Sequence, residues 1–91
     1  MDFEWHDAKA AKNFRKHKVD FETASRVFLD KMRIEYDDDN DVDDEVRTNV
    51  IGIVDGRMLH VTYTMRDDIC RIISARGAEP HEKRRYHEIQ A

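Results

Sequence analysis

The chain is poor in several residues on which common chemistries depend. Its single cysteine, Cys70, excludes an internal disulfide and fits a reducing compartment. Three glycines leave no Gly-rich phosphate loop. The only serines, Ser25 and Ser74, stand in no nucleophile-elbow context. No apolar run approaches the roughly 20 residues of a membrane span. The opening Met1-Asp2-Phe3-Glu4-Trp5 lacks the basic and apolar segments of a secretory signal. The expectation is one complete cytoplasmic domain over residues 1–91, with no membrane partner and a modest core.

Metal chemistry is also unsupported. His81-Glu82 begins a zinc-like motif, but Arg85 stands where the second histidine is needed, and His81 and His87 do not share a helix face. The acidic run lacks the glycine of an EF-hand loop and reads as a solvated loop. Cys70 reads as a small core residue of a strand. No metal and no cofactor are expected.

What is abundant is charge, unevenly placed. The net charge of −4 is dominated by Asp37 to Glu45, which holds seven acids in nine residues; the remainder carries 16 basic and 13 acidic side chains. Lys9 to Lys18 holds five lysines and arginines and no acid. Such segregation suggests one face able to meet a polyanion.

The pattern along the chain reads strand, helix, helix, four strands, helix. Residues 3–5 suit a short strand. Residues 7–18 are good helix formers, with Asp7 near the start and Ala10, Ala11 and Phe14 as the apolar face. Asp20 can cap a second helix whose Phe21, Ala24, Val27 and Phe28 form a stripe. Residues 32–36, 47–54, 58–64 and 69–76 read as strands, and Asp55-Gly56 is a strong hairpin signal. Gly77 turns the chain and Pro80 starts a final helix over 80–89. The predicted fold is α+β: a small antiparallel sheet, two N-terminal helices on one face and a C-terminal helix.

Arginines recur in the β region at 47, 57, 66, 71 and 76. Arg71 and Arg76 differ by an odd number, so a regular strand sends them to opposite faces unless a bulge intervenes. In the last helix Glu82, Tyr86 and Ile89 share a face, which Ile89 suggests is turned inward. Glu82 and Tyr86 are then either an ion-pair partner for Arg76 and a core aromatic, or parts of a site. His60 is a candidate acid or base, or a polar residue on the less buried sheet face. Guanidinium forks suit phosphate, and RNA brings its own 2′-OH nucleophile, so these residue types fit metal-independent RNA cleavage or plain phosphate binding.

The linear pattern resembles the BrnT family of type II toxins. The resemblance rests on Phe3-Glu4-Trp5, Lys9, Asn13, Lys16-His17, Val19-Asp20-Phe21, Ala24 and Val27-Phe28-Leu29-Asp30. It continues through Arg47 with Gly52, residues 56–64, residues 71–76, Glu82 and Tyr86. It implies a RelE-like fold and a cytoplasmic endoribonuclease that inhibits translation and arrests growth. It also implies a BrnA-like antitoxin, with operator DNA contacted only through the antitoxin complex. Arg76, Arg47, Tyr86, Glu82 and His60 are the catalytic candidates; Lys9, Lys16, His17 and Arg71 are the RNA-binding candidates. The alternative is a toxin-like module that keeps the antitoxin contact and has lost cleavage. The chain departs from the pattern at Trp5-His6-Asp7, and at Lys18, where glycine is common; a left-handed residue or a different turn is needed there. Residues 77–81 are less basic than usual.

Overall fold

The computed structural model describes residues 1–39 and 45–90. Its centre is a meander of β3 (Thr48–Val54), β4 (Arg57–Arg66) and β5 (Ile69–Gly77), each antiparallel to the next. The β3–β4 turn holds Asp55 at φ 50° and Gly56 at φ 80°. Positive φ at both central positions matches the right-handed twist of the flanking strands, which is why Asp-Gly suits this hairpin. β2 (Ile34–Asp37) adds antiparallel to β3, and β1 (Asp2–Glu4) adds parallel to β5, giving the order β1-β5-β4-β3-β2. The sheet is therefore mixed, where a purely antiparallel one was expected. β1 runs straight into a helix packed on β5 rather than into a hairpin turn, so no local turn imposes an antiparallel direction on it.

Three helices complete the fold. α1 (Asp7–His17) is capped at its start by His6, whose Nδ1 accepts the Lys9 N–H at 3.4 Å. It ends on Lys18 at φ 60°, ψ 30°, the left-handed conformation that a glycine would adopt freely. α2 (Phe21–Ser25) starts where the Asp20 carboxylate accepts the Thr23 N–H at 2.6 Å, and passes into a 3-10 turn over Arg26–Leu29. α3 (Pro80–Gln90) has Pro80 in its first turn, and the Glu82 side chain accepts the Glu79 N–H at 2.8 Å, half of a capping box. Gly77 closes β5 rather than turning the chain; the turn to α3 follows it, with Ala78 N–H still bonded to Met58 O at 2.9 Å.

Strand alternation sorts the core into two sides. On one, Val50, Val54, Leu59, Val61, Ile72 and Ala75 pack with Val19, Phe21, Ala24 and Val27. Gly52 belongs to this side: a Cβ there would lie 2.5 Å from Val27 Cγ2 and 3.2 Å from Val27 O, so the glycine lets the 3-10 turn rest directly on β3. On the other side Tyr86 packs with Ile34, Ile51 and Met58. The side chains on the second side are polar away from that cluster: Asn49, His60, Thr62 and Thr64 are all buried, and Thr62 donates to Asn49 at 2.7 Å.

Two helix faces differ from the sequence pattern. In α1 the buried residue is Asn13, while Phe14 is 47% exposed. In α3 Glu82 and Tyr86 are buried but Ile89 is 58% exposed, because the last turn runs past the sheet cluster that holds Tyr86. Asn13 is inward for a polar reason. Its Nδ2 donates to Ala75 O at 2.8 Å and to Val19 O at 3.1 Å, and its Oδ1 accepts the Ala75 N–H at 3.2 Å. β1 pairs β5 only along residues 69–71, so the Asn13 amide serves the Ala75 peptide group on the edge away from β4, where no strand lies among the described residues.

β5 carries one irregularity. Thr62 pairs Ser74 and Tyr63 pairs Ile72, so Ile73 is left over as a bulge. His60 faces Arg76 and Thr64 faces Arg71, and His60 and Thr64 lie four residues apart on β4. The extra residue thus brings Arg71 and Arg76 to the same side of the sheet, against the parity rule for a regular strand.

Replacing Asn13 by alanine leaves the Ala75 N–H and two carbonyls without their amide. Stability should fall by about 3 kcal/mol. Urea unfolding of Asn13→Ala against the parent checks this, and a loss under about 1 kcal/mol would show that water replaces the side chain without penalty.

Candidate active site

The ionic corner forms where the ends of β2, β4 and β5 meet the start of α3. Arg76, near the end of β5, makes a two-pronged contact with Glu82: Nη1 to Oε1 at 2.7 Å and Nη2 to Oε2 at 2.9 Å. Its Nη1 also donates to Gly77 O at 3.1 Å and lies 3.7 Å from the Glu79 carboxylate. Glu82 is only 4% exposed. His60 Nε2 lies 3.4 Å from Glu82 Oε2 and 3.2 Å from the Tyr36 hydroxyl. Arg85, on the exposed face of α3, stacks its guanidinium 4.1 Å from the centre of the Tyr36 ring.

Burial and charge compete at each group. Burial pushes Glu82 up, but the Arg76 hydrogen bonds, the Glu79 N–H and the His60 and Arg76 charges outweigh it, and its carboxyl is held below the usual range. Hydrogen bonding to Glu82 holds Arg76 more firmly protonated than usual. Burial lowers His60, only partly offset by the Glu82 charge. Burial, with the Glu82 charge, raises Tyr36 above the ordinary phenol value. At neutral pH the corner therefore holds an ionised Glu82, a charged Arg76, a neutral imidazole and an intact phenol. Glu82 and His60 are too buried to meet a large substrate directly. The half-buried Tyr36, the exposed Arg85 and the 29% exposed Arg76 side chain form the outer layer.

The catalytic candidates from the sequence divide among three places. Arg76, Glu82 and His60 come together. Tyr86 does not join them: its hydroxyl donates to Asp30 Oδ2 at 2.8 Å, and burial followed by that bond pushes its pKa up to about 12. Asp30 also accepts the Ile53 and Met32 N–H groups, so Tyr86 ties α3 to the end of the 3-10 turn and to β3. Arg47 precedes β3 at the opposite end of the sheet and lines a cleft of about 80 Å³ with His6, Lys9, Glu45, Arg66, Arg71, Ile72 and Ile73. Arg76 is not among its walls, so these two catalytic candidates do not share that hollow. Register explains this: Thr48 pairs Tyr63, whereas Arg76 pairs His60.

Of the RNA-binding candidates, Lys9 and Arg71 line that cleft, and Lys9, Lys16 and His17 line a neighbouring groove. Tyr36 and Arg85 were absent from both candidate sets. Tyr36 had a signal, since it alternates with Ile34 on the same strand face; Arg85 had only its position three residues after Glu82. Residues 40–44 of the acidic run lie outside the described residues, but Asp37 belongs to β2 and Asp38 N–H bonds Arg47 O at 2.9 Å. Among the described residues no helix is long and apolar enough to cross a membrane.

A five-stranded mixed sheet with three helices and an ionic corner of His60, Arg76 and Glu82 defines a small α+β protein whose polar site is built from side chains. The family model described as the ribonuclease toxin BrnT of type II toxin–antitoxin systems matches residues 5–82, and the chain belongs to that family. A type II toxin family implies a cognate antitoxin as partner. Comparison with curated proteins gives no match.

The corner sets two expectations. Arg76→Ala strands the buried Glu82 charge and should cost about 3 kcal/mol of stability, whereas Arg76→Ala combined with Glu82→Gln should recover most of it; urea melts of the two variants decide. Acid should also act in two stages. His60 has a depressed folded value, so its stabilisation is complete above the ordinary 6.5 and drains away as pH falls below it. Glu82, depressed below the ordinary 4.5, loses its contribution only at lower pH still. Unfolding midpoints recorded from pH 8 to 3 should show both declines, and His60→Gln should lack the first.

Proposed function

We propose that the chain is a single-domain, RelE-like toxin acting in the cytoplasm as a metal-independent endoribonuclease, with the corner of His60, Tyr36, Arg76, Glu82 and Arg85 as its reacting centre. The observation that carries this is the contact of a buried neutral imidazole with a half-exposed phenol, beside two guanidinium groups. Tyr36 reaches outward where His60 cannot. The 2′-OH proton passes to the Tyr36 oxygen as the phenol proton passes to His60 Nε2. The 2′-oxygen attacks the adjacent phosphorus, and the imidazolium returns a proton through Tyr36 to the departing 5′-oxygen. The products are a 2′,3′-cyclic phosphate and a 5′-hydroxyl, with no net proton change. Arg76 and Arg85 stabilise the charge on the phosphate, and Glu82 holds Arg76 and His60 in place. Tyr86 fixes α3 through Asp30 and so positions Glu82 and Arg85. RNA cleavage by this route would inhibit translation and arrest growth, the cognate BrnA-like antitoxin would silence it, and operator DNA would be met only through their complex.

A second reading has its own observation. The Arg76 guanidinium is already matched by Glu82, with Glu79 beside it, and a cation so neutralised suits an antitoxin-binding module that no longer cleaves.

One experiment separates the two. Tyr36→Phe removes a single hydroxyl and should lower cleavage of a synthetic RNA by about 10²-fold or more while the fold persists. EDTA should leave the parent rate unchanged, and the 5′ fragment should carry a cyclic phosphate. Cleavage at the parent rate in Tyr36→Phe, or its loss with EDTA, would sink the proposed centre. No cleavage by the parent protein, with antitoxin binding intact, would establish the second reading.

A further inference from the structure

The β5 bulge gathers a second set of cations away from the reacting corner. Among the described residues, Lys9, Arg47, Arg66 and Arg71 line the cleft of about 80 Å³ against one carboxylate, Glu45. Glu4 Oε1 lies 3.5 Å from Arg71 Nη1 and holds that side chain from the β1 side. Among the described residues, Arg47 Nε is buried with no hydrogen-bond partner. An unsatisfied buried donor on a guanidinium, inside a cleft of other cations, is costly unless an anion arrives. The volume holds a few water molecules' worth of matter, enough for phosphate oxygens and too little for a base.

The cleft does not stand alone. Lys9 and Ile73 also line an adjoining groove of about 230 Å³, together with Lys12, Asn13, Lys16 and His17. Lys9, Lys12 and Lys16 fall at i, i+3 and i+7 and make one stripe along α1, spanning about 10 Å. Like charges at these spacings weaken a helix, so the stripe has a cost that its own helix does not recover. Ile73, the residue displaced by the bulge, is apolar surface shared by both hollows. Asn13, a wall of the groove, pins the helix to β5, so the cations sit on a braced scaffold.

We infer that these two hollows form one continuous track for the sugar–phosphate backbone of single-stranded RNA, with a phosphate in the Arg47–Arg66–Arg71 cleft and further phosphates along Lys9, Lys12 and Lys16. The charge ratio, the guanidinium cleft and the apolar Ile73 surface suit a chain of phosphates and sugars better than an acidic peptide. Along β4, Thr64 beside Arg71 and His60 beside Arg76 are separated by about 13 Å, a distance that a few nucleotides cover. The inference rests on the proposed ribonuclease reading for its choice of RNA, but the track is separate from the reacting corner and can be tested without cleavage.

The probe is a fluorescein-labelled single-stranded 2′-O-methyl oligoribonucleotide, which lacks the nucleophile and stays intact. Its anisotropy is titrated with the purified full chain over a range of salt. The test variant is Lys9→Gln combined with Arg66→Gln, both at exposed positions. Each lost phosphate contact should flatten the plot of log affinity against log salt by about 0.7, so the double variant should lose about 1.4 and bind more weakly. Lys31→Gln, which removes an exposed lysine outside both hollows, should bind as the parent does. Unchanged slope and affinity in the double variant would overturn the track, as would competition by a poly-glutamate peptide at concentrations equal to those of unlabelled oligonucleotide. If the double variant loses binding while Tyr36→Phe still cleaves at the parent rate, the track stands and the proposed reacting centre falls.

Discussion

The fold depends on a side-chain amide doing the work of a strand. β5 has β4 along one edge, but on the other edge β1 reaches only residues 69–71. Asn13 fills the gap at Ala75, taking both its N–H and its carbonyl, and at the same time fixes Val19 at the exit of α1. A backbone edge left bare in the core would be expensive. One amide therefore joins α1, the α1–α2 link and β5, and the helix that carries the lysine stripe is held at a set distance from the strand that carries the bulge.

The second organising contact is the buried carboxylate of Glu82. It caps α3 through Glu79 N–H, receives both prongs of Arg76 and lies beside His60. Helix start, strand end and imidazole are thus oriented by one group that is itself nearly inaccessible. This separation of labour is physically sensible. The buried layer sets charge and geometry, while the half-buried Tyr36 and the exposed Arg85 form the rim. Tyr86, anchored on Asp30, supports the same helix from its other end.

Much of the local structure was legible. Asp55-Gly56 specified its turn, Asp20 its cap and Pro80 the start of α3, because each acts on the backbone within a few residues. Membership of the BrnT family was legible from the order of many weak motifs. The meander could be read from turn spacing, but the parallel docking of β1 could not, since it pairs residues 67 positions apart. Asn13 entered only as an element of the family pattern and its inward place was not legible, because its partner Ala75 lies 62 residues away and hydropathy does not report on amide pairing. The pairing of Arg76 with Glu82 was one of two readings; the bulge that reunites Arg71 with Arg76 was named only as an exception. That Arg47 and Arg76, both catalytic candidates, lie apart is a matter of register, which a list of arginines does not contain.

The parallel pairing of β1 with β5 also governs when the molecule can exist during synthesis. The first strand, and the helix that follows it, have their partners in residues 69–77, which are made more than 60 residues later. A ribosome adding about 5–20 residues per second leaves the N-terminal segment waiting several seconds for β5. Contacts of such long sequence separation also slow folding after release. A nascent chain of this kind has neither its complete sheet nor its ionic corner until β5 and the start of α3 have been made.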